Sequence, residues 1–303
     1  MMFSHGKIIT ILQYFTDKID DYWHILYPLT LPMSRQKDKY LYFYDISRKA
    51  TDYDGEFSKD GLYLFYGYDG KYHLHALELS QYSLACWLAW RKTNDDTWLN
   101  KAMLHCNWLV EKQEDDGAWR IEHKNPKYND LSTPWASGMA QGLAISSLIR
   151  AYLYTDEDKY LQSAKRACSF LEIKVKDHGV KKEFDNLFIY EEYPRKELNG
   201  VLNGYITVVL ALYELVQIDK DYEEIYLKNI ENLKSIIEKY DNGFWSLYSL
   251  DGIISSGFYH RYVIIQLKAL AFIDMEFTVY VEKFEKYLSS KRCVLKALWQ
   301  KIN

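Results

Sequence analysis

Trp98-Leu99-Asn100-Lys101-Ala102-Met103-Leu104-His105-Cys106-Asn107-Trp108-Leu109, followed by Asp115-Asp116-Gly117-Ala118-Trp119-Arg120, sets the architecture. In the first stretch Trp98, Ala102, His105, Cys106 and Leu109 recur at helical spacing, which lines up one apolar face. The second stretch is a glycine-containing break with strand-like residues after it. The same alternation continues along the chain. Helical patterns are predicted over 79–95, 97–113, 134–154, 157–173, 200–217, 221–239, 260–274 and 277–290, with further breaks at His178-Gly179-Val180 and Asp241-Asn242-Gly243-Phe244-Trp245. The repeat is a helical hairpin plus a turn excursion, at a period of roughly 60 residues. A hairpin with an exposed apolar face must stack on its neighbours, and stacking in a ring closes the core. The expected fold is mainly α, an incomplete (α/α) toroid or barrel of about four hairpins. Its inter-pair loops, aromatic-rich at one end, favour the ring over an open solenoid.

Before the repeat the pattern differs. Residues 1–37 read as a helix and a lead-in punctuated by Pro28 and Pro32. Tyr40-Leu41-Tyr42-Phe43-Tyr44 and Leu62-Tyr63-Leu64-Phe65-Tyr66 are β-prone, and Asp69-Gly70 is a hairpin turn signal. The division is therefore an N-terminal helix with a small β-rich element over 1–78 and a helical toroid over 79–303.

With 303 residues, nearly half of them apolar, the chain buries a sizeable core. A net charge of -4 gives no global pull toward nucleic acid or an anionic membrane surface, so a polyanion would need a local basic patch. The 28 Tyr and 9 Trp offer flat apolar faces with polar edges, the surface that sugars stack on. The four cysteines, Cys86, Cys106, Cys168 and Cys293, sit far apart within apolar helical patterns and read as small buried hydrophobes in a reducing compartment. The run Ile8-Ile9-Thr10-Ile11-Leu12 is too short for a signal sequence, and no apolar stretch reaches membrane-spanning length. These features point to a cytoplasmic protein without a membrane span.

Five places carry candidate chemistry. In Glu191-Glu192-Tyr193-Pro194, Pro194 holds the preceding residue out of helical geometry. An extended chain there points Glu192 and Tyr193 to opposite sides unless the backbone turns. Val201-Leu202-Asn203-Gly204-Tyr205 puts an asparagine at the start of an apolar helix, where it would cap or bond within the core. Two tyrosines, Tyr248 and Tyr259, flank a loop between Gly243-Phe244-Trp245-Ser246-Leu247-Tyr248 and Gly257-Phe258-Tyr259-His260. In Trp135-Ala136-Ser137-Gly138-Met139-Ala140-Gln141-Gly142 the glycines lie one turn apart and allow close helix approach. His73 and His75 share one side of an expected strand, but no further metal ligands are identifiable, so no metal site is assigned. No nucleotide-binding glycine loop, serine-hydrolase elbow, zincin or EF-hand motif occurs.

Taken together and in register, these stretches resemble the C-terminal domain of the D-glucuronyl C5-epimerase family. Those carrying the resemblance are Trp135 to Gly142, Ile149-Arg150-Ala151-Tyr152-Leu153, His178-Gly179-Val180, Glu191 to Pro194, Val201 to Tyr205, and Tyr259-His260 with Gln266-Leu267. It spans roughly residues 79 to 290. It implies a helical (α/α) domain and an isomerase that converts D-glucuronate to L-iduronate units in a heparan-like or other uronic-acid-containing glycan, as in polysaccharide biosynthesis, without a cofactor and as a homodimer. It places Tyr193, Tyr248 and Tyr259 in the active site and aligns Glu192 with a proposed catalytic base. Where the family has Tyr-Asp-Leu-Arg-His, this chain reads Tyr248-Ser249-Leu250-Asp251-Gly252, so the arginine is replaced by Asp251.

Epimerisation at C5 takes a proton from beside a carboxylate and returns one to the opposite face. It needs acid/base groups on both faces and donors or cations aimed at the carboxylate. Glu192 and Tyr259 are the expected pair, with Tyr193 and Tyr248 hydrogen-bonding the uronate or acting as alternates. Asn203, His260, Trp135 and Gln141 are expected to bind or orient substrate, and Arg261, Arg195 or Arg150 to supply the positive charge. The alternatives are a uronate lyase on the same toroid, which would start from the same C5 proton, and a non-catalytic glycan-binding relative.

Overall fold

The structure is a computed structural model; it describes residues 5–16 and 38–302. The lead-in with Pro28 and Pro32 lies outside the described residues. The helices, in chain order, are α1 His5–Leu12, α2 Arg48–Thr51, α3 Ala76–Thr93, α4 Asp96–Lys112, α5 Gly138–Thr155, α6 Asp158–Leu171, α7 Leu202–Ile218, α8 Glu223–Ile236, α9 Gly257–Ile273, α10 Thr278–Ser289 and α11 Lys291–Ile302. Four short 3-10 helices and two antiparallel two-stranded sheets complete the secondary structure of the described residues. The sheets pair β1 Phe65–Tyr66 with β2 Tyr72–His73, and β3 Lys181–Phe184 with β4 Leu187–Tyr190. The molecule is thus mainly α, and four of its helix pairs form the expected incomplete toroid.

The helices sort into two layers because their sequences do. α5 and α7 are apolar nearly all round, and a helix without a polar face has to be surrounded; α3 and α9 are also mostly buried, and take Glu78, Ser80, Gln81, Ser83, His260 and Gln266 inside with them. In α5 every residue from Gly138 to Ala151 is buried. These four pack side by side as an inner layer. α4, α6, α8 and α10 are amphipathic and cover them from outside. α4 buries only Leu99, Ala102, His105, Cys106 and Leu109, the stripe its spacing predicts. Within the first two pairs the reversal is tight because Asn94 and Asp156 adopt left-handed backbone geometry (φ 56° and 58°), which asparagine and aspartate tolerate. Asp95 then caps α4 by accepting from the Thr97 amide.

The glycines of the Trp135–Gly142 stretch divide their work. A Cβ on Gly142 would sit 3.0 Å from the Val208 Cα, so α5 and α7 touch backbone to backbone there. Gly138 instead abuts Tyr190 and donates its amide to the Glu191 carbonyl at 2.8 Å. Gly142→Ala is expected to push the two inner helices apart and destabilise by about 1–2 kcal/mol, overpacking outweighing the gain in helix propensity. Urea unfolding of the variant checks this, and unchanged stability would contradict it.

Tyr40–Tyr44 departs from expectation, because it forms no strand. It crosses the C-terminal halves of α3, α5 and α7 and meets α9 nearer its start. Tyr40 stacks on Trp87, the Tyr42 ring lies beside the Arg150 guanidinium, Phe43 meets Tyr213, and Tyr44 shares a 2.6 Å hydrogen bond with Tyr262. Its aromatic residues prefer a packed surface, and here helices provide that surface instead of a neighbouring strand. The Tyr40 and Leu41 carbonyls are taken by Arg150 instead of a ladder partner. Leu62–Tyr66 contributes only the two-residue β1, although Asp69-Gly70 does make the turn to β2, with Gly70 at φ +73°. A second hairpin, β3–β4, turns on Asp185-Asn186, both left-handed. Cys86, Cys106 and Cys168 are buried as expected, whereas Cys293 is half-buried; all four are free thiols. No helix among the described residues is long and apolar enough to cross a membrane.

Candidate active site

The N-terminal ends of α3, α5, α7 and α9 gather at the end of the toroid away from Tyr40–Tyr42. A cavity of about 390 Å³, open to solvent, lies at this end. Its lining includes Glu78, Trp135, Ser137, Glu192, Tyr193 and Tyr259. Helix N-termini carry partial positive charge, which suits an anionic ligand.

Glu192 and Tyr193 both face this cavity, against the alternation of an extended chain. Glu191 is the cause. Its carboxylate folds back to accept the amides of Asn199 and Gly200 at 2.9 and 2.8 Å, and the backbone bends across 192–193. Glu192 is buried, and its Oε2 has no hydrogen-bond partner among the described residues. Gly204 makes room for it, since a Cβ there would lie 3.1 Å from that oxygen. Burial raises the Glu192 pKa to about 7, with Glu191 and Glu78 adding to the rise; the Tyr193 hydroxyl and the Lys127 charge oppose it. A carboxylate of this kind is a far better base at neutral pH than a solvated one.

The tyrosines converge. Tyr248 and Tyr259 meet edge to face with centroids 4.9 Å apart, and Tyr193 lies between Tyr128 (4.8 Å) and Trp135 (5.7 Å). Burial, reinforced by the Glu192 charge, holds the Tyr193 and Tyr248 phenols well above their usual range, so both remain hydroxyl donors. Ser256 caps α9 by accepting from the Tyr259 amide, which fixes where that ring enters the cavity.

Other expected residues lie elsewhere. The His260 imidazole is stacked on Trp245 at 3.7 Å and bonded to Ser246 and the Phe284 carbonyl, so it faces the outer layer. Arg261 lines a separate cavity with Tyr14, Phe15 and Leu288. Arg150 is fully buried against Glu214. Arg195 pairs with Asp130 at 2.8 Å and approaches Asp251, which also accepts from Ser249 and Asn199. Asn203 is buried beneath the site with its Nδ2 3.7 Å from the Met139 sulfur, and Gln141 is buried on α5 with neither amide atom partnered among the described residues. Trp135 does line the cavity, its indole donating to the His123 carbonyl.

The cation beside the tyrosines is one that the sequence did not single out. Lys127 extends from the loop after α4, its Nζ 5.4 Å from the Tyr248 ring centroid and 5.2 Å from that of Tyr128. Lys127 and Tyr248 sit beside the cavity and are not part of its lining, whereas Glu78, His75, His123 and Asn125 do line it and were not anticipated. The clustering of His, Lys and Tyr in His123-Lys124-Asn125-Pro126-Lys127-Tyr128 was the one available signal. His73, His75 and His123 do come together, with His123 centroids 4.5 and 5.3 Å from the other two, but no group of three or more His, Cys, Asp or Glu among the described residues is placed to hold a metal ion.

Comparison with known sequences bears on this cavity. The family described as D-glucuronyl C5-epimerase C-terminus matches residues 112–289. A D-glucuronyl C5-epimerase of Caenorhabditis elegans is 31% identical over 194 residues, 56% of this chain and 32% of that protein. An uncharacterized protein of Methanocaldococcus jannaschii is 28% identical over 140 residues, 44% of this chain and 45% of the other. This chain therefore spans less than half the length of either relative. Among solved structures, a family 76 glycoside hydrolase from a bovine Bacteroides thetaiotaomicron strain aligns over 75% of this chain and 44% of its own at 15% identity, with a TM-score of 0.43.

Proposed function

Because this chain belongs to the D-glucuronyl C5-epimerase C-terminal family, we propose that it epimerises D-glucuronate to L-iduronate units in a glycan by taking and returning the C5 proton. The observation that carries this reading is a buried carboxylate of raised proton affinity, Glu192, sharing one open cavity with Tyr193 and Tyr259. The C5 proton is weakly acidic, and its removal builds charge on the adjacent carboxylate. Glu192 and Tyr259 act as the opposed acid/base pair. Tyr193 and Tyr248, held as hydroxyls, donate to the carboxylate as charge builds, and Lys127 with the inner helix N-termini supplies positive potential in place of the family's arginine.

Lys127→Met is expected to lower kcat/KM by about tenfold or more, because an aimed cation is lost from the developing charge. Lys127→Arg should restore most of it. Turnover of both variants at two ionic strengths checks this, and a Met variant as active as the parent would remove Lys127 from the site.

The reading itself is tested by incubating the folded protein with unsulfated glucuronate polymers in deuterated water. Deuterium at C5 together with iduronate is the expected outcome. No incorporation across several polymers would overturn it. Deuterium-independent chain shortening with ultraviolet absorbance from an unsaturated uronate would identify a lyase instead.

A further inference from the structure

α1 and α11 both lie outside the matched family segment 112–289, and both expose apolar stripes that folding does not require. α11 already has one buried stripe, since Val294 and Ala297 pack with Tyr14 and Trp245 in a small core of their own. Leu295, Trp299 and Ile302 fall at i, i+4 and i+7 on its other side and are 57%, 66% and 55% exposed. A surface helix held by one apolar stripe gains no stability from a second one turned to water. α1 repeats the pattern. Ile8 and Leu12 lie one turn apart and are exposed, as is Phe15 in the turn that follows. Phe15 and Leu295 line one cleft of about 340 Å³, away from the catalytic cavity, so the two stripes meet there. A joined apolar surface of this kind marks a contact with something outside the chain.

Charge selects the partner. α11 carries Lys291, Arg292, Lys296 and Lys301 and no acidic residue, in a chain whose net charge is -4. Lys301 turns inward to the Ile254 carbonyl at 2.8 Å, whereas Lys291, Arg292 and Lys296 are exposed and flank the apolar ridge. The cleft adds Arg261 to Lys291, with no carboxylate among its described lining residues. A second copy on this face would set one cationic rim against another. A soluble polyanion would satisfy the cations but leave Leu295, Trp299 and Ile302 in water. An anionic bilayer satisfies both, because apolar side chains enter the acyl boundary while lysine and arginine stay at the headgroup phosphates.

We propose that α11 and the turn after α1 form a docking surface for an anionic lipid bilayer. Phe15, Leu295, Trp299 and Ile302 are the inserted groups, and Lys291, Arg292 and Lys296 contact the headgroups. The last turn of α11 lies toward the active-site end of the toroid. Burial and the nearby Lys127 charge hold the Lys301 ammonium below its usual range, and Lys127 is the cation beside Tyr248. Docking thus places that end of the toroid near the bilayer. The inference goes beyond the epimerase reading and needs no turnover to be tested.

The test sediments the full chain with vesicles of mixed phosphatidylcholine and phosphatidylglycerol, and with vesicles of phosphatidylcholine alone. The chain should bind the anionic vesicles, more weakly as salt is raised, and bind the neutral ones at least about tenfold less well. Two double variants change exposed positions only: Leu295→Ser with Trp299→Ser, and Lys291→Gln with Arg292→Gln. Each should weaken binding to the anionic vesicles about tenfold or more, with thermal unfolding showing that both variants are folded. No binding to anionic vesicles, equal binding to both kinds, or folded variants that bind like the parent would overturn the proposal. So would a lipid-free dimer that Leu295→Ser with Trp299→Ser dissociates, since the face would then be a contact between copies.

Discussion

Glu192→Gln is expected to abolish epimerisation and C5 proton exchange with one of the two epimers and, at the same time, to make the protein more stable at alkaline pH. Loss of a positioned general base costs about 10²- to 10⁴-fold in rate. The stability gain follows from burial. In the folded chain Glu192 has a pKa of about 7, above its ordinary value of 4.5. Below about pH 4.5 it is protonated whether folded or not, and its contribution to stability is fully present. Between 4.5 and 7 the folded state keeps a proton that the unfolded state has released, so stability falls as pH rises. Above pH 7 the whole cost of ionising a buried carboxylate is borne, on the order of 3 kcal/mol. Gln removes that cost. Glu191, also raised to about 7 by burial and opposed by the Asn199 and Gly200 amides, keeps part of the pH dependence in the variant. Urea unfolding at pH 5 and pH 8 should show a smaller difference for the variant than for the parent. In the parent, kcat/KM should fall by about tenfold per unit below pH 7, as the base is protonated. An active, alkali-unchanged variant would contradict both halves.

Glu214→Leu is expected to cost about 3–5 kcal/mol, the largest stability effect in the molecule, because it strands a buried guanidinium. Arg150 and Glu214 are both inaccessible to solvent. The two groups are bridged twice, Nη2 to Oε1 at 2.8 Å and Nη1 to Oε2 at 3.2 Å. The remaining N–H groups of Arg150 go to the Tyr40, Leu41 and Ser146 carbonyls, so the pair also pins the Tyr40–Tyr44 crossing to α5. Removing both charges together, in Arg150→Met with Glu214→Leu, should cost less than removing Glu214 alone, since no uncompensated charge remains. Chemical unfolding of the single and double variants tests this. A Glu214→Leu protein within about 1 kcal/mol of the parent would show that the pair is not what holds the crossing.

The helical hairpins were legible because their spacing is a local property. Trp98, Ala102, Cys106 and Leu109 fall on one face whatever the rest of the chain does. Tyr40–Tyr44 was misread because aromatic β-propensity reports a fit to buried surfaces, and the surface here is made by helices. The tyrosines and Glu192 were legible only through a resemblance, since spacing alone sends Glu192 and Tyr193 to opposite sides. The bend that unites them depends on Glu191 reaching Asn199 and Gly200, a contact no periodicity encodes. The positive charges were the hardest to find. Arg150 looked available in sequence, but its partner lies 64 residues away, whereas Lys127 looked like an unremarkable loop residue. His260 follows Tyr259 directly, yet one residue along a helix turns a side chain about 100°, away from the cavity.

The central claim is that Glu192 and Tyr259 address one carbon from opposite faces. Its most direct test is C5 exchange in deuterated water for Glu192→Gln and Tyr259→Phe, each given a glucuronate-containing and an iduronate-containing oligosaccharide. Each variant should fail to interconvert the epimers yet retain exchange with one of them, and the two variants should retain it with opposite epimers. Equal loss of exchange with both epimers in both folded variants, or undiminished epimerisation in either, would contradict the account.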